Sequence, residues 1–173
     1  VVTVPFGKYL DDERPLALGV SSWRRVEDNA IPGRAKVNGG YVNLALAASE
    51  VRGSGYDEAI LLNEDGHVSE AAGMNLFLVR DGRLITPSVA GNLLEGITRD
   101  SIRIHARDEG IPFEERQVDR TELYIADELF LVGTAAQVAP VGSVDRRPVG
   151  GGKAGPVTTR LRELYGRVVR GQV

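Results

Sequence analysis

The sequence predicts an α+β domain, on three observations. First, apolar runs of strand length are parted by turn signals: Asn63-Glu64-Asp65-Gly66 lies between residues 59–62 and 67–70, and Asp81-Gly82 between 75–79 and 84–86. A glycine after an aspartate at such a break supplies the positive backbone angle a tight hairpin requires. Second, stretches of helix length carry apolar residues on one face, as in 41–52 through Leu44, Ala47, Ala48 and Val51, with Gly53 and Gly55 as the stop. Third, strands and helices follow one another in a mixed order, which is the α+β pattern. With 173 residues, 42% of them apolar, the chain has material for one domain with a sizeable core.

In chain order, residues 1–10 read as an extended connector broken by Pro5 and Gly7. A strand follows over 16–23, then a Pro32-Gly33 break and a glycine-containing bend, Lys36-Val37-Asn38-Gly39-Gly40. The helix 41–52 and the two hairpins come next. Gly96-Ile97-Thr98-Arg99-Asp100 opens a second helix over 98–109, and Gly110 stops it. A strand over 112–118 and a short helix over 119–126 lead to the apolar strand 128–132 and the turn Gly133-Thr134-Ala135-Ala136. Residues 137–144 return as a strand that Pro140 is expected to interrupt. A glycine-rich loop, 150–155, precedes a closing amphipathic helix over 156–170 through Val157, Leu161, Leu164 and Val168.

Composition excludes several functions. A net charge of −3 gives no support for a nucleic-acid partner. The absence of cysteine rules out disulfide frameworks and thiolate chemistry, and it is compatible with a reducing compartment. No run approaches the ~20 apolar residues of a membrane-spanning helix, and no secretory signal is expected. The chain begins at Val1 rather than Met, so its N-terminus is expected to be processed, truncated or not the gene start.

Lys36, with apolar neighbours and two nearby glycines, is a candidate for a desolvated amine able to bond a carbonyl carbon. A solvated loop lysine is the plain alternative. Glu70 ends a strand beside Ala71-Ala72-Gly73 and offers a carboxylate for a protonated ring nitrogen, against the plain reading of a surface hairpin glutamate. Gly96-Ile97-Thr98 and Gly133-Thr134-Ala135 are turns whose N–H groups and hydroxyls suit an anion such as phosphate; capping by Thr98 explains the first equally well. Asn63, Asp65 and Glu70 imitate part of a calcium loop but lack its alternating oxygen ligands. Gly150-Gly151-Gly152-Lys153 lacks the spacing of a nucleotide-binding loop. His67 and His105 stand apart with no second ligand, so no metal site is expected.

Together these stretches carry a resemblance. Ser21-Ser22-Trp23-Arg24-Arg25, Ile31-Pro32 to Lys36, Tyr41, Gly55 to Ala59 and Val68-Ser69-Glu70 continue into Asn75-Leu76-Phe77 and Thr86-Pro87. Downstream come Gly96 to Asp100, Ala126-Asp127-Glu128, Gly133 to Ala136 and Gly155-Pro156-Val157-Thr158. In this order they resemble the C-terminal part of a class IV (fold type IV) pyridoxal-phosphate aminotransferase, closest to the branched-chain amino-acid aminotransferases.

The resemblance implies a large C-terminal domain with a mixed sheet or pseudo-barrel flanked by helices, spanning 12–173 behind an interdomain connector, 1–11. It implies pyridoxal 5′-phosphate as cofactor, with Lys36 as Schiff-base lysine and proton shuttle and Tyr41 on the phenolic oxygen. Glu70 is then the partner of the pyridine nitrogen, Leu94 packs on the ring, and Gly96, Ile97, Thr98 and Thr134 hold the phosphate. Phe6, Tyr9, Thr134 and Ala135 are implied to face the substrate. No arginine in the matched motifs is expected to face the phosphate. The implied reaction is amino transfer between a branched-chain L-amino acid and a 2-oxo acid (2-oxoglutarate), in a cytoplasmic homodimer or higher assembly. D-amino-acid aminotransferase, (R)-selective amine transaminase and aminodeoxychorismate lyase share the fold and stay open, as does an inactive fragment acting as a cofactor-binding or dimerising module. Two departures stand out: Met74 occupies a position where the branched-chain enzymes usually carry Glu, and the family's N-terminal small domain is absent from this chain.

Overall fold

A computed structural model describes Val2, Thr3, Pro5 and residues 14–172. In the first half, β1 (Leu16–Arg24) is followed by α1 (Gly40–Gly53), β2 (Glu58–Leu62), β3 (Val68–Ala71), β4 (Asn75–Arg80) and β5 (Arg83–Pro87). The second half contains α2 (Ile97–Asp108), β6 (Phe113–Arg116), β7 (Glu128–Gly133), β8 (Gln137–Val144), β9 (Arg147–Pro148) and α3 (Pro156–Val168). Short 3-10 turns occupy Val89–Gly91 and Arg120–Tyr124.

The strands form one mixed sheet in the order β3-β2-β1-β8-β7-β4-β5-β6, with β9 paired to β8. β1 runs parallel to β2 and to β8, and β5 parallel to β6; the remaining pairs are antiparallel. The two ends of this order meet. His67 bridges Asp119, and the Val68 N–H donates to the Val118 carbonyl at 2.8 Å, so the sheet curls back on itself.

The period-two alternation of strand side chains decides what goes where. Leu76 and Leu78 of β4, Leu129 and Leu131 of β7 and Ile60 of β2 point into the curl and form one buried cluster with Leu18. Their neighbours Phe77, Phe130 and Val132 point outward to Ile102 of α2 and Leu161 of α3. The Phe77 and Phe130 rings stack with centroids 5.2 Å apart. On the other flank Ala59 and Leu61 of β2 meet Leu44, Ala47 and Ala48 of α1. Each large side chain so buried contributes about 1.5–3 kcal/mol, enough for this alternation to fix the register.

Several local expectations change. Pro140 does not interrupt β8: it pairs with Phe130, and pairing with β1 begins only at Val141, so its missing N–H falls where β8 has one neighbour. The strand expected over 112–118 closes at Arg116, and the helix expected over 119–126 is a 3-10 turn whose Asp119 and Glu122 form a capping box. The β8–β9 hairpin turns through Asp145 (φ 48°) and Arg146 (φ 64°), with no glycine to announce it. In contrast the β4–β5 turn uses Asp81 (φ 51°) and Gly82 (φ 70°), the geometry that its sequence predicts.

Candidate active site

A cavity of about 260 Å³ opens between the 31–41 bend, the β3–β4 turn, the start of α2 and the turn after β7. Four segments distant in sequence thus supply one concave site.

The bend that carries Lys36 is a chain of tight turns: Ala35 N–H to Pro32 O at 3.1 Å, Val37 N–H to Ala35 O at 2.9 Å, and Gly40 N–H to Val37 O at 3.2 Å. Gly33 lets this bend lie against the 92–96 segment, because a Cβ there would stand 2.5 Å from the Asn92 carbonyl oxygen. Lys36 lines the cavity from its exposed rim, and Tyr41, in the first turn of α1, is 40% exposed beside it. The desolvation expected of Lys36 from its apolar neighbours is therefore not supplied by the described residues.

Glu70 stands at the closed end of the cavity, 4% exposed. Arg25 Nε donates to its Oε1 at 2.8 Å, while Asn75 Nδ2 at 3.1 Å and the Leu94 N–H at 3.2 Å donate to Oε2. Burial pushes the carboxyl up to about 7, against the opposing pull of the Arg25 charge, the Leu94 amide and the more remote Arg99. At that value the group can exchange a proton with a ring nitrogen near neutral pH, and such perturbed groups in clefts concentrate at functional sites.

The start of α2 lines the same cavity. Its N-cap is Gly96, not Thr98, and no side chain caps it. The first-turn N–H groups therefore keep their capacity for an anion. Ile97 is 85% exposed and Thr98 is buried, and both line the cavity with Leu94, Gly96 and Thr134.

The structure thus gathers Lys36, Tyr41, Glu70, Leu94, Thr98 and Thr134 around one cavity, together with Gly96 and Ile97. Ala135 lies outside the lining, and Phe6 and Tyr9 fall outside the described residues. Asn63 Oδ1 accepts the His67 N–H at 2.9 Å within its turn, and no group of metal-ligating side chains occurs among the described residues. Sequence reasoning quoted Arg25 and Asn75 without a role. Arg25, an arginine of the matched motifs, lines the cavity, where it is paired with Glu70. Its only sequence signal is the doublet Arg24-Arg25 at the end of β1; Arg24 is exposed and Arg25 is 7% exposed.

An amine, a phenol, a buried carboxylate and an uncapped helix start around one cavity fit a small aromatic group bearing a carbonyl, a ring nitrogen and a phosphate. The model of the family described as amino-transferase class IV matches residues 1–144. The chain belongs to this family. Among class IV relatives, the probable branched-chain-amino-acid aminotransferase of Aquifex aeolicus is 51% identical over 169 residues, covering 97% of this chain and 54% of that protein. The branched-chain-amino-acid aminotransferase of Escherichia coli K12 is 45% identical over 168 residues, covering 95% and 54% respectively. Solved class IV structures share the fold. The branched-chain amino acid aminotransferase of Thermobaculum terrenum, in its PLP (holo) form, superposes with a TM-score of 0.90 at 44% identity, over 94% of this chain and 53% of that one. The Thermoproteus uzoniensis branched-chain aminotransferase with norvaline gives 0.93 at 46% identity, over 98% and 56%. The chain spans about half the length of these class IV relatives.

Proposed function

We propose that this chain is the cofactor-binding part of a pyridoxal-phosphate aminotransferase acting on branched-chain L-amino acids, with 2-oxoglutarate as amino acceptor. The observation that carries the reading is the placement of Lys36 and Glu70 on one cavity that the uncapped start of α2 also lines. Lys36 would hold the cofactor covalently through Nζ, Glu70 would face its ring nitrogen, and Tyr41 its phenolic oxygen. Leu94 would pack on the ring. The amides of Ile97 and Thr98, with Thr134, would hold the phosphate. When bound, pyridoxal phosphate supplies a carbonyl for the substrate amine and an electron-accepting ring.

The chain's own residues supply the rest. Lys36 Nζ, once free, would be the base that takes the proton from the substrate Cα and gives it to the former carbonyl carbon of the bound cofactor, with the reverse transfer serving the 2-oxo acid. Glu70 holds a proton at the ring nitrogen, because its buried carboxylate is anchored by three donors and cannot swing away. Thr134 and Ala135 would meet the substrate carboxylate from the turn after β7, with Phe6 and Tyr9 lining the side-chain pocket. Met74, 4% exposed, is among the lining residues and packs with the core cluster inside the curl, so an apolar side chain stands where a charged residue would favour polar substrates.

The exposed rim calls for a cover. Lys36 and Tyr41 face outward, and Val37 and Val42 beside them are 42% and 64% exposed. We propose that residues 12–173 form the cofactor domain, that residues 1–11 connect it to an N-terminal domain, tethered or separate, and that this domain closes the face within a cytoplasmic homodimer or larger assembly. Only then is water kept from Lys36. The test is amino transfer to 2-oxoglutarate from L-leucine, L-isoleucine or L-valine, with pyridoxal phosphate and with the Lys36 face covered by the N-terminal domain. Turnover of all three supports the reading. Turnover of D-alanine or an (R)-amine without these three would overturn it.

A further inference from the structure

Asn75 lies between Glu70 and the start of α2 in the lining of the cavity. It is the first residue of β4, and its side chain is buried, at 6% exposure. Its Nδ2 donates to Glu70 Oε2 at 3.1 Å and to the Leu94 carbonyl at 2.8 Å, which uses both protons of the amide. The Leu94 N–H returns to the same Glu70 oxygen at 3.2 Å, so Glu70, Asn75 and Leu94 close a ring of hydrogen bonds. The other side of the amide rests on Gly96. A Cβ built there would stand 2.2 Å from Asn75 Oδ1 and 3.4 Å from its Cγ.

Gly96 has φ −71° and ψ 140°, a conformation open to any residue, so its backbone does not call for glycine. What calls for glycine is the space taken by the Asn75 amide. Gly96 is also the N-cap of α2. One amide therefore touches the carboxylate on one side and the helix start on the other.

We propose that Asn75 is a positioning residue that couples the two ends of this cavity: it fixes the Glu70 carboxylate and the Leu94–Gly96 segment in one register, so that a displacement at the start of α2 is felt at Glu70. The structural coupling stands on geometry alone. Its use, keeping the phosphate end and the ring-nitrogen end at a set separation, rests on the cofactor reading given above. Arg25, at 2.8 Å from Oε1, and the more remote Arg99 are the charged groups that also act on Glu70. Neither is substituted in the variants below, and the methyl of Gly96→Ala stands only in ordinary contact, 3.7 Å, with Arg99 Cβ.

The test follows the Glu70 carboxyl by carbon NMR in the cofactor-free protein labelled at glutamate Cδ, with Glu70→Gln assigning the resonance. Four proteins are titrated: the parent, Asn75→Ala, Gly96→Ala and the double variant. Losing a donor to the charged form moves the Asn75→Ala titration to higher pH by about one unit. Gly96→Ala shifts it in the same direction, because the added methyl pushes the amide off Glu70. The double variant matches Asn75→Ala alone, since the methyl then has nothing to displace. Additive shifts, or a Gly96→Ala protein whose Glu70 titrates as in the parent, overturn the coupling even if both variants lose thermal stability. Asn75→Ser, which is short enough to clear the methyl, replaces Asn75→Ala if that protein does not fold. Pyridoxal phosphate binding, read by absorbance on the same proteins, separates the two claims. The expected titration pattern without binding by any of them supports the coupling and overturns the cofactor reading.

Discussion

α2 and α3 begin alike and end up serving opposite purposes. Each has an extended glycine as N-cap, Gly96 in one and Gly155 in the other, and neither glycine caps with a side chain. At α3 the missing cap is supplied from the sheet. Glu128 Oε1 accepts the Val157 N–H at 3.0 Å, and Oε2 accepts the Thr158 N–H at 2.7 Å and the Thr158 hydroxyl at 2.6 Å. A Cβ on Gly155 would lie 2.2 Å from the Glu128 Cδ, so carboxylate and helix start are in full contact. At α2 no carboxylate arrives. Glu70, which lines the same cavity, is held by Arg25, Asn75 and Leu94 instead.

The difference between these two helix starts shows what marks a site. Burial does not discriminate, since Glu70 is 4% and Glu128 6% exposed. The number of donors does not discriminate either, since each carboxylate receives three. What separates them is whether the two halves of the electrostatic pair touch. Glu128 satisfies a helix dipole and serves stability. Glu70 and the start of α2 make no direct contact and line one cavity, which a molecule with an anionic end and a basic end can fill.

Glu70→Gln breaks the comparison hardest. In the assembled enzyme with its cofactor, kcat falls about a hundredfold, an effect of ~3 kcal/mol on the barrier, while the cofactor stays bound through its phosphate. Unchanged turnover would return Glu70 to the structural class of Glu128. The same variant has a signature in the cofactor-free protein. Because burial raises the folded-state value from 4.5 to about 7, Glu70 favours folding fully below pH 4.5 and loses that contribution as pH rises through 7. The stability of the parent relative to Glu70→Gln therefore declines by up to about 3 kcal/mol between those limits. Chemical denaturation of both proteins at a series of pH values measures it, and a flat or rising difference contradicts the burial of this carboxyl.

Glu128→Ala sharpens the other side. Removing the carboxylate leaves the first turn of α3 uncapped and lowers stability by about 2 kcal/mol, without changing kcat per folded molecule. Urea unfolding combined with active-site-normalised turnover checks both halves. A fall in kcat with unaltered stability would place Glu128 in the chemistry and undo the contrast.

How much of this was legible in the sequence depends on how far the partners lie apart. Asp81-Gly82 announced its hairpin because the positive backbone angles are a local demand, whereas Asp145-Arg146 makes the same kind of turn with residues that carry no such signal. The strand and helix faces were legible from periodicity, but the closing of the sheet through His67 and Asp119, 52 positions apart, was not. At the site, Lys36 and Glu70 were singled out by local chemistry, yet nothing local decided between rim lysine and reactive amine; only the family resemblance implied the second. Arg25 and Asn75 stood in the matched stretches without a role, because a side chain that works through its partner shows its purpose only when the partner is in place. Glu128 and Thr158 were likewise quoted in separate stretches, and their bond joins residues 30 apart.

The measurement that reaches the central claim most directly is where the cofactor attaches. The protein has three lysines, Lys8, Lys36 and Lys153. Incubation with pyridoxal phosphate, reduction with borohydride and peptide mapping should place the pyridoxyl group on Lys36 alone, and Glu70→Gln should leave that position unchanged. Label on Lys153 or Lys8 in place of Lys36 would contradict the assignment of this cavity.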